Sequence, residues 1–159
     1  NLKIKKMITK EEVIDFQNSW GRGIIEIGEF YVAGKNYEQL TKEFINKFYS
    51  YEENSVFFKP TLASKIQFRT DKIAALSYFI GGNSNFDEDN GFAIKGWHQI
   101  RWENVGINII DDIALCMGNY FFSLKGEEDL KVEFSLVVRK VNGNLKIILH
   151  DSHLPYHQQ

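Results

Sequence analysis

The apolar positions change period once, near residue 55, and that change predicts where helices give way to strands. Val13, Phe16, Trp20, Ile24, Ile27 and Tyr31 recur at steps of three and four, a helical stripe of about six turns. Thr9-x-x-Glu12 ahead of it is a capping box, which satisfies two of the orphan N–H groups at a helix start. Gly21, Gly23 and Gly28 interrupt the stripe. Each helix glycine costs about 1 kcal/mol relative to alanine, so close approach of another backbone is expected there. Gly34 is placed to end the helix. Tyr37, Leu40, Phe44 and Phe48 then form a second stripe, which completes a helical hairpin.

Beyond residue 55 the pattern reads as a short strand over 56–59, stopped by Pro60, and an extended piece over 66–69. Thr70 is placed to cap a brief helix over 71–79, ended by Gly81-Gly82. Residues 83–90 form a polar, acidic loop. Strands are expected over 97–103, 106–110, 113–123, 130–141 and 144–151, with turns at Asp111-Asp112 and Asn142-Gly143. Helices first and an antiparallel meander after is an α+β pattern. In the last strand Ile148, His150 and Ser152 share one face by strict alternation, and Leu145, Ile147 and Leu149 share the other. Two apolar faces need two covers. The helices supply one, and a partner subunit packed on Ile147 and Leu149 supplies the other, so a homodimer is expected.

Length and composition narrow the picture. A chain of 159 residues makes one domain, which buries roughly 70% of its unfolded surface. Thirteen Phe, seven Tyr and three Trp both seal a core and line a pocket. A net charge of −2 with no basic face gives no footprint for nucleic acid or an anionic membrane. No apolar run is long enough to span a bilayer. Cys116 is alone, which excludes an internal disulfide and a cysteine metal cluster. The chain begins at Asn1, which fits a cytoplasmic protein trimmed at its start and an exported one that has lost a signal peptide.

Candidate chemistry is sparse. His150-x-x-His153-x-x-x-His157 has the residue types of a zinc site, but on a strand His150 and His153 point to opposite faces. Asp87-Glu88-Asp89-Asn90-Gly91 lacks the spaced ligands of a calcium loop and reads as solvated. No phosphate loop or nucleophile elbow is present. Glu103, Asp111, Asp112 and Glu133 read as surface charges. What remains is polar residues in apolar company: Thr61 after Phe57-Phe58-Lys59-Pro60, Tyr78 late on the short helix, and His150 and Ser152 on one strand face.

Those segments occur in a familiar order. Phe57-Phe58-Lys59-Pro60-Thr61, Phe68-Arg69, Ala75-Leu76-Ser77-Tyr78-Phe79 and Gly91-Phe92-Ala93 are followed by Met117-Gly118-Asn119-Tyr120. Leu149-His150-Asp151-Ser152-His153-Leu154-Pro155-Tyr156 closes the set. Together they resemble the ι-class carbonic anhydrases, domains related to the association domain of calcium/calmodulin-dependent kinase II. The resemblance implies a cone-shaped α+β fold of the nuclear-transport-factor-2 type, with N-terminal helices packed on a curved antiparallel sheet. It covers a single domain over 9–156, leaving an N-terminal extension over 1–8 and a tail over 157–159.

The resemblance also implies reversible hydration of carbon dioxide to bicarbonate, without a metal or other cofactor. Thr61, Tyr78 and Ser152 match the residues that hydrogen-bond bicarbonate, and His150 matches a histidine suited to accept or shuttle a proton. Carbon dioxide is apolar, so aromatic walls such as Phe58 and Phe79 suit it. Asp151 stands where the family pattern has a second histidine, and His153 where it has a second serine. Alternation puts both departures on the face away from His150 and Ser152. A non-catalytic oligomerisation or small-ligand-binding module of the same fold is the alternative reading.

Overall fold

Helix α1, Lys10–Val32, starts where Thr9 accepts the Glu12 backbone N–H through its hydroxyl at 3.1 Å. Only half of the expected capping box forms, because the Glu12 carboxylate takes the Lys140 ammonium instead. The helix ends at Ala33, followed by Gly34 in a left-handed conformation. The glycines of α1 mark close approaches: a Cβ on Gly28 would lie 3.1 Å from the Ala93 carbonyl oxygen, and one on Gly21 would lie 3.3 Å from Ile100. At Gly23 the neighbour is a ring, that of Phe44 on the second helix. Helix α2, Tyr37–Phe48, turns Phe44, Ile45 and Phe48 inward. The coordinates are a computed structural model in which residues 7–159 are described. Of the extension expected over 1–8, residues 1–6 lie outside the described residues, and Ile8 is buried in the core.

Strand β1, Phe57–Lys59, is followed by helix α3, Lys72–Ile80, whose cap is Asp71 rather than Thr70: the Asp71 carboxylate accepts the Ala74 N–H at 2.9 Å. The extended piece at 66–69 joins no sheet, although Arg69 N–H donates to the Phe58 carbonyl at 2.6 Å. Four long strands follow: β2 Gln99–Ile110, β3 Ile113–Ser123, β4 Leu130–Val141 and β5 Asn144–His153. The two strands expected at 97–103 and 106–110 are one, bent at a bulge where Val105 has no partner on β3. Asn142 and Gly143 both have positive φ, as a type I′ turn requires.

The sheet order is β1-β5-β4-β3-β2. The long strands pair antiparallel, while β1 adds to β5 in parallel, with Phe58 beside His150. Helices α1, α2 and α3 cover one face of the sheet, and the aromatic core lies between.

One expectation is overturned here. Opposite Val137 and Val138, strand β5 supplies Leu149 and Ile147, so Ile148 is an extra residue. A one-residue insertion reverses the alternation beyond it. Leu145 and Ile147 before the bulge therefore face the same side as His150 and Ser152 after it, and all four are buried. Ile147 belongs to the core, where it pairs with Tyr49. It is not part of the surface expected to meet a partner subunit.

Candidate functional site

The parallel pairing of β1 with β5 builds the site. It sets Phe58 against His150 with the rings stacked, centroids 5.1 Å apart, and carries the chain through Pro60 to Thr61 beside Ser152. The hydroxyl oxygens of Thr61 and Ser152 are 2.6 Å apart. Ser152 also shares a short hydrogen bond with the Tyr120 hydroxyl, and its carbonyl accepts the Lys59 ammonium at 3.2 Å. Tyr78, on α3, faces the same space, and its oxygen accepts the Leu62 N–H at 3.3 Å. Thr61, Tyr78, His150 and Ser152, far apart in sequence, thus line one cavity.

The other walls are Pro60 and the aromatic rings of Trp20, Phe58, Phe79, Phe92 and Tyr120. The cavity measures about 10 Å³, the space of about one water molecule. Thr61 is the one lining side chain that is only half-buried, so the way to solvent runs past it.

His150 lies at the back of this space, and both ring nitrogens are engaged. The Tyr49 hydroxyl is 2.9 Å from Nδ1, and the Tyr120 hydroxyl is 3.2 Å from Nε2. Tyr49 in turn accepts the Trp20 indole N–H at 3.2 Å. Burial pushes the imidazole down to about 3 and pushes the Tyr49, Tyr78 and Tyr120 hydroxyls well above the usual tyrosine range. Every member of the cluster is therefore neutral at physiological pH. The sequence suggested a proton acceptor or shuttle at His150; the ring sits behind two tyrosine hydroxyls, away from solvent.

The sequence gives no polar role to Tyr120, Tyr49 or Trp20, although Trp20 belongs to the α1 stripe and Tyr120 to a segment of the family resemblance. A signal existed for Tyr120, since it alternates inward with Gly118 and Phe122 and a buried phenol needs a partner. Nothing comparable marked Tyr49, which falls after the stripe of α2.

The acidic loop at 83–90 is also more than solvated surface. Glu88 accepts the backbone N–H groups of Ser64, Lys65 and Ile66. These bonds, that from Ser64 foremost, hold its carboxyl down to about 2 against the opposing effect of burial. Asp89 forms a two-pronged ion pair with Arg69, both bonds 2.7 Å, and accepts the Ser77 hydroxyl at 2.6 Å. The loop thus clamps the segment that follows Thr61 onto α3.

The departures at Asp151 and His153 lie on the outer sheet face, as alternation from Ser152 predicts. His153 Nε2 is 2.7 Å from Glu133, and Nδ1 is 3.5 Å from Asp151. His150 and His153 point to opposite sides, and among the described residues no three His, Cys, Asp or Glu side chains are disposed to hold a metal ion. No helix among the described residues is long and apolar enough to cross a membrane.

Comparison with known proteins places the chain in a family. Residues 11–154 match the family described as metal-independent carbonic anhydrase. The metal-independent carbonic anhydrase of Nostoc sp. (strain PCC 7120) is 36% identical over 159 residues, covering 98% of this chain and 78% of its own length. The crystal structure of the iota-carbonic anhydrase from cyanobacterium complexed with bicarbonate has a TM-score of 0.93 at 34% identity, over 99% of each chain. A putative calcium/calmodulin dependent protein kinase II association domain from Xanthomonas campestris has a TM-score of 0.60 at 17% identity, over 95% of this chain and 91% of its own, a likeness of fold alone. On the extent of these matches, the chain belongs to the metal-independent carbonic anhydrase family.

Proposed function

We propose that this chain hydrates carbon dioxide reversibly to bicarbonate in the cavity between β1, β5 and α3, using hydroxyl groups in place of a metal. The observation that carries the reading is the joined set of neutral hydroxyls, Thr61, Ser152 and Tyr120, with Tyr78 beside them, inside aromatic walls. A cavity this small favours the smallest substrates over larger ones. Phe58 and Phe79 offer carbon dioxide an apolar surface. As the water oxygen bonds to carbon, one C–O double bond opens and negative charge gathers on the oxygens, where the Thr61–Ser152 pair and Tyr78 supply donors fixed in advance. The proton released passes to solvent or buffer along the opening at Thr61. His150, neutral and enclosed, serves by holding Tyr120 and Ser152 in place. Without a metal to acidify the water, turnover falls well below that of a zinc hydroxide. A stopped-flow hydration assay tests the reading: the purified chain accelerates the reaction equally with and without chelator. No acceleration at all would remove it.

We further propose that the working unit is a homodimer formed through the outer sheet face. Leu115, Val137 and Leu149 form a cross-strand row there, with Met117 and Val105 next to it. Met117 is 60% and Val105 85% exposed. A two-fold axis through this face would cover the patch with its own copy. Sedimentation at tens of micromolar, about the range where a weak interface dissociates, should give a dimer for wild type and a monomer for Leu115→Glu. A wild-type monomer sinks the proposal, and a ring of many subunits favours an assembly module instead.

A further inference from the structure

The hydrogen-bonded groups behind the cavity run from Trp20 Nε1 through Tyr49 Oη, the two nitrogens of His150 and Tyr120 Oη to the Ser152–Thr61 hydroxyl pair, where Thr61 is also within hydrogen-bonding reach of Tyr120 and Tyr78. Each hydroxyl carries one proton, and neutral imidazole carries one. Such a chain has two possible directions, and its far end decides between them. The indole N–H donates and never accepts.

Tyr49 is 1% exposed, and its hydroxyl meets only Trp20 and His150. Since Trp20 cannot accept, the Tyr49 proton is satisfied only on Nδ1 of His150. The opposite direction, with the proton on Nδ1, would leave a buried phenol proton without an acceptor. That defect is large enough to bias the two directions by about tenfold or more.

We propose that Trp20 and Tyr49 fix the direction of this chain, holding His150 with its proton on Nε2 and leaving one hydroxyl proton at the Ser152–Thr61 end free for the cavity. The rest is a count of protons. Nε2–H donates to Tyr120, so the Tyr120 proton is given to the Ser152–Thr61 pair. The bond between Ser152 and Thr61 spends one of that pair's two protons, and the other is left for the cavity, directly or through Tyr78. The cavity is offered a donor, which suits an oxyanion; the reverse direction would offer lone pairs, which repel one. Tyr49 does not line the cavity and acts through His150, so it is a positioning residue.

The inference rests on the carbonic anhydrase reading for its use but not for its test. The measurement is the 15N resonance pair of the His150 ring in the intact chain, assigned by its loss in His150→Gln. Wild type should show a single tautomer, with Nε2 protonated and Nδ1 bare. Tyr49→Phe removes the donor to Nδ1 while keeping the ring volume. It should give a mixture of tautomers in a folded protein and a hydration rate about tenfold lower. A wild-type proton on Nδ1 overturns the inference, as does a folded Tyr49→Phe that keeps the single Nε2 tautomer. A wild type with the Nε2 tautomer but no hydration would remove the functional reading and leave the direction of the chain standing.

Discussion

Ser152→Ala lowers the rate of carbon dioxide hydration on the order of a hundredfold or more, the usual loss when one preorganised donor to a developing oxyanion is removed. The serine is the junction of the cluster, in contact with both the Thr61 and Tyr120 hydroxyls. Alanine deletes one oxygen, breaks the path between them and opens little space. Tyr78→Phe should lower the rate similarly, since it takes away a hydroxyl facing the same cavity, and it also leaves the Leu62 N–H without its acceptor. Because both act on one bound anion, the double variant should lose less than the product of the single losses. His153→Ser provides the control. Its ring lies on the outer face with Glu133 and Asp151, so the rate should stay near that of wild type. Stopped-flow rates and melting temperatures of all four variants check this. Full activity in both Ser152→Ala and Tyr78→Phe would place the chemistry elsewhere.

Arg69→Met has the largest effect on stability, about 3–5 kcal/mol, because it leaves the Asp89 carboxylate buried without its counter-charge. The arginine side chain is fully enclosed and the aspartate 1% exposed. Beyond Asp89, the guanidinium donates to the Ile66 and Ala74 carbonyls and lies over the Phe86 ring. The backbone of the same residue donates to Phe58 and accepts the Tyr51 hydroxyl at 2.7 Å. Arg69 thus fastens the segment after Thr61 to α3, to the loop at 83–90 and to β1. Asp89→Leu alone should cost a similar amount, stranding the arginine instead. The pair Arg69→Met with Asp89→Leu should recover much of the loss, since a buried ion pair replaced by apolar groups is often nearly neutral. Urea unfolding measures all three. Single losses below about 1 kcal/mol, the level of an exposed pair, would show that the clamp is not a buried charge pair in solution.

The two departures from the family pattern need no compensation at the site. Asp151 and His153 flank Ser152 in sequence, yet strand alternation sends them outward while Ser152 turns in. Together with Glu133 they make a charged cluster beside the apolar row of Leu115, Val137 and Leu149. Their effect is therefore expected on the proposed subunit contact and not on the hydroxyl cluster.

The helices, three of the four long strands and the tight turns are legible in the residue pattern alone, because each depends on neighbours within a few residues; β2 reads there as two strands, divided at its bulge. A stripe at steps of three and four buries only as a helix, and Asn142-Gly143 accepts the positive φ that a hairpin needs. The sequence also identified the family, and through it Thr61, Tyr78, His150 and Ser152 as residues that gather in one place. How they gather depends on contacts between distant segments. The extra residue at Ile148 is visible only when β5 is counted against β4, and it moves Ile147 into the core that strict alternation denied it. The parallel addition of β1 to β5 joins segments about ninety residues apart, and no local pattern encodes it. Asp89 reads as surface charge until Arg69 arrives from the other side of α3. Trp20, Tyr49 and Tyr120 read as core aromatics, and as packing they are; their polar atoms acquire a direction only when the fold lines them up behind His150. Burial is a property of a segment and can be read from period, whereas a hydrogen-bond partner across the core is a property of the closed fold.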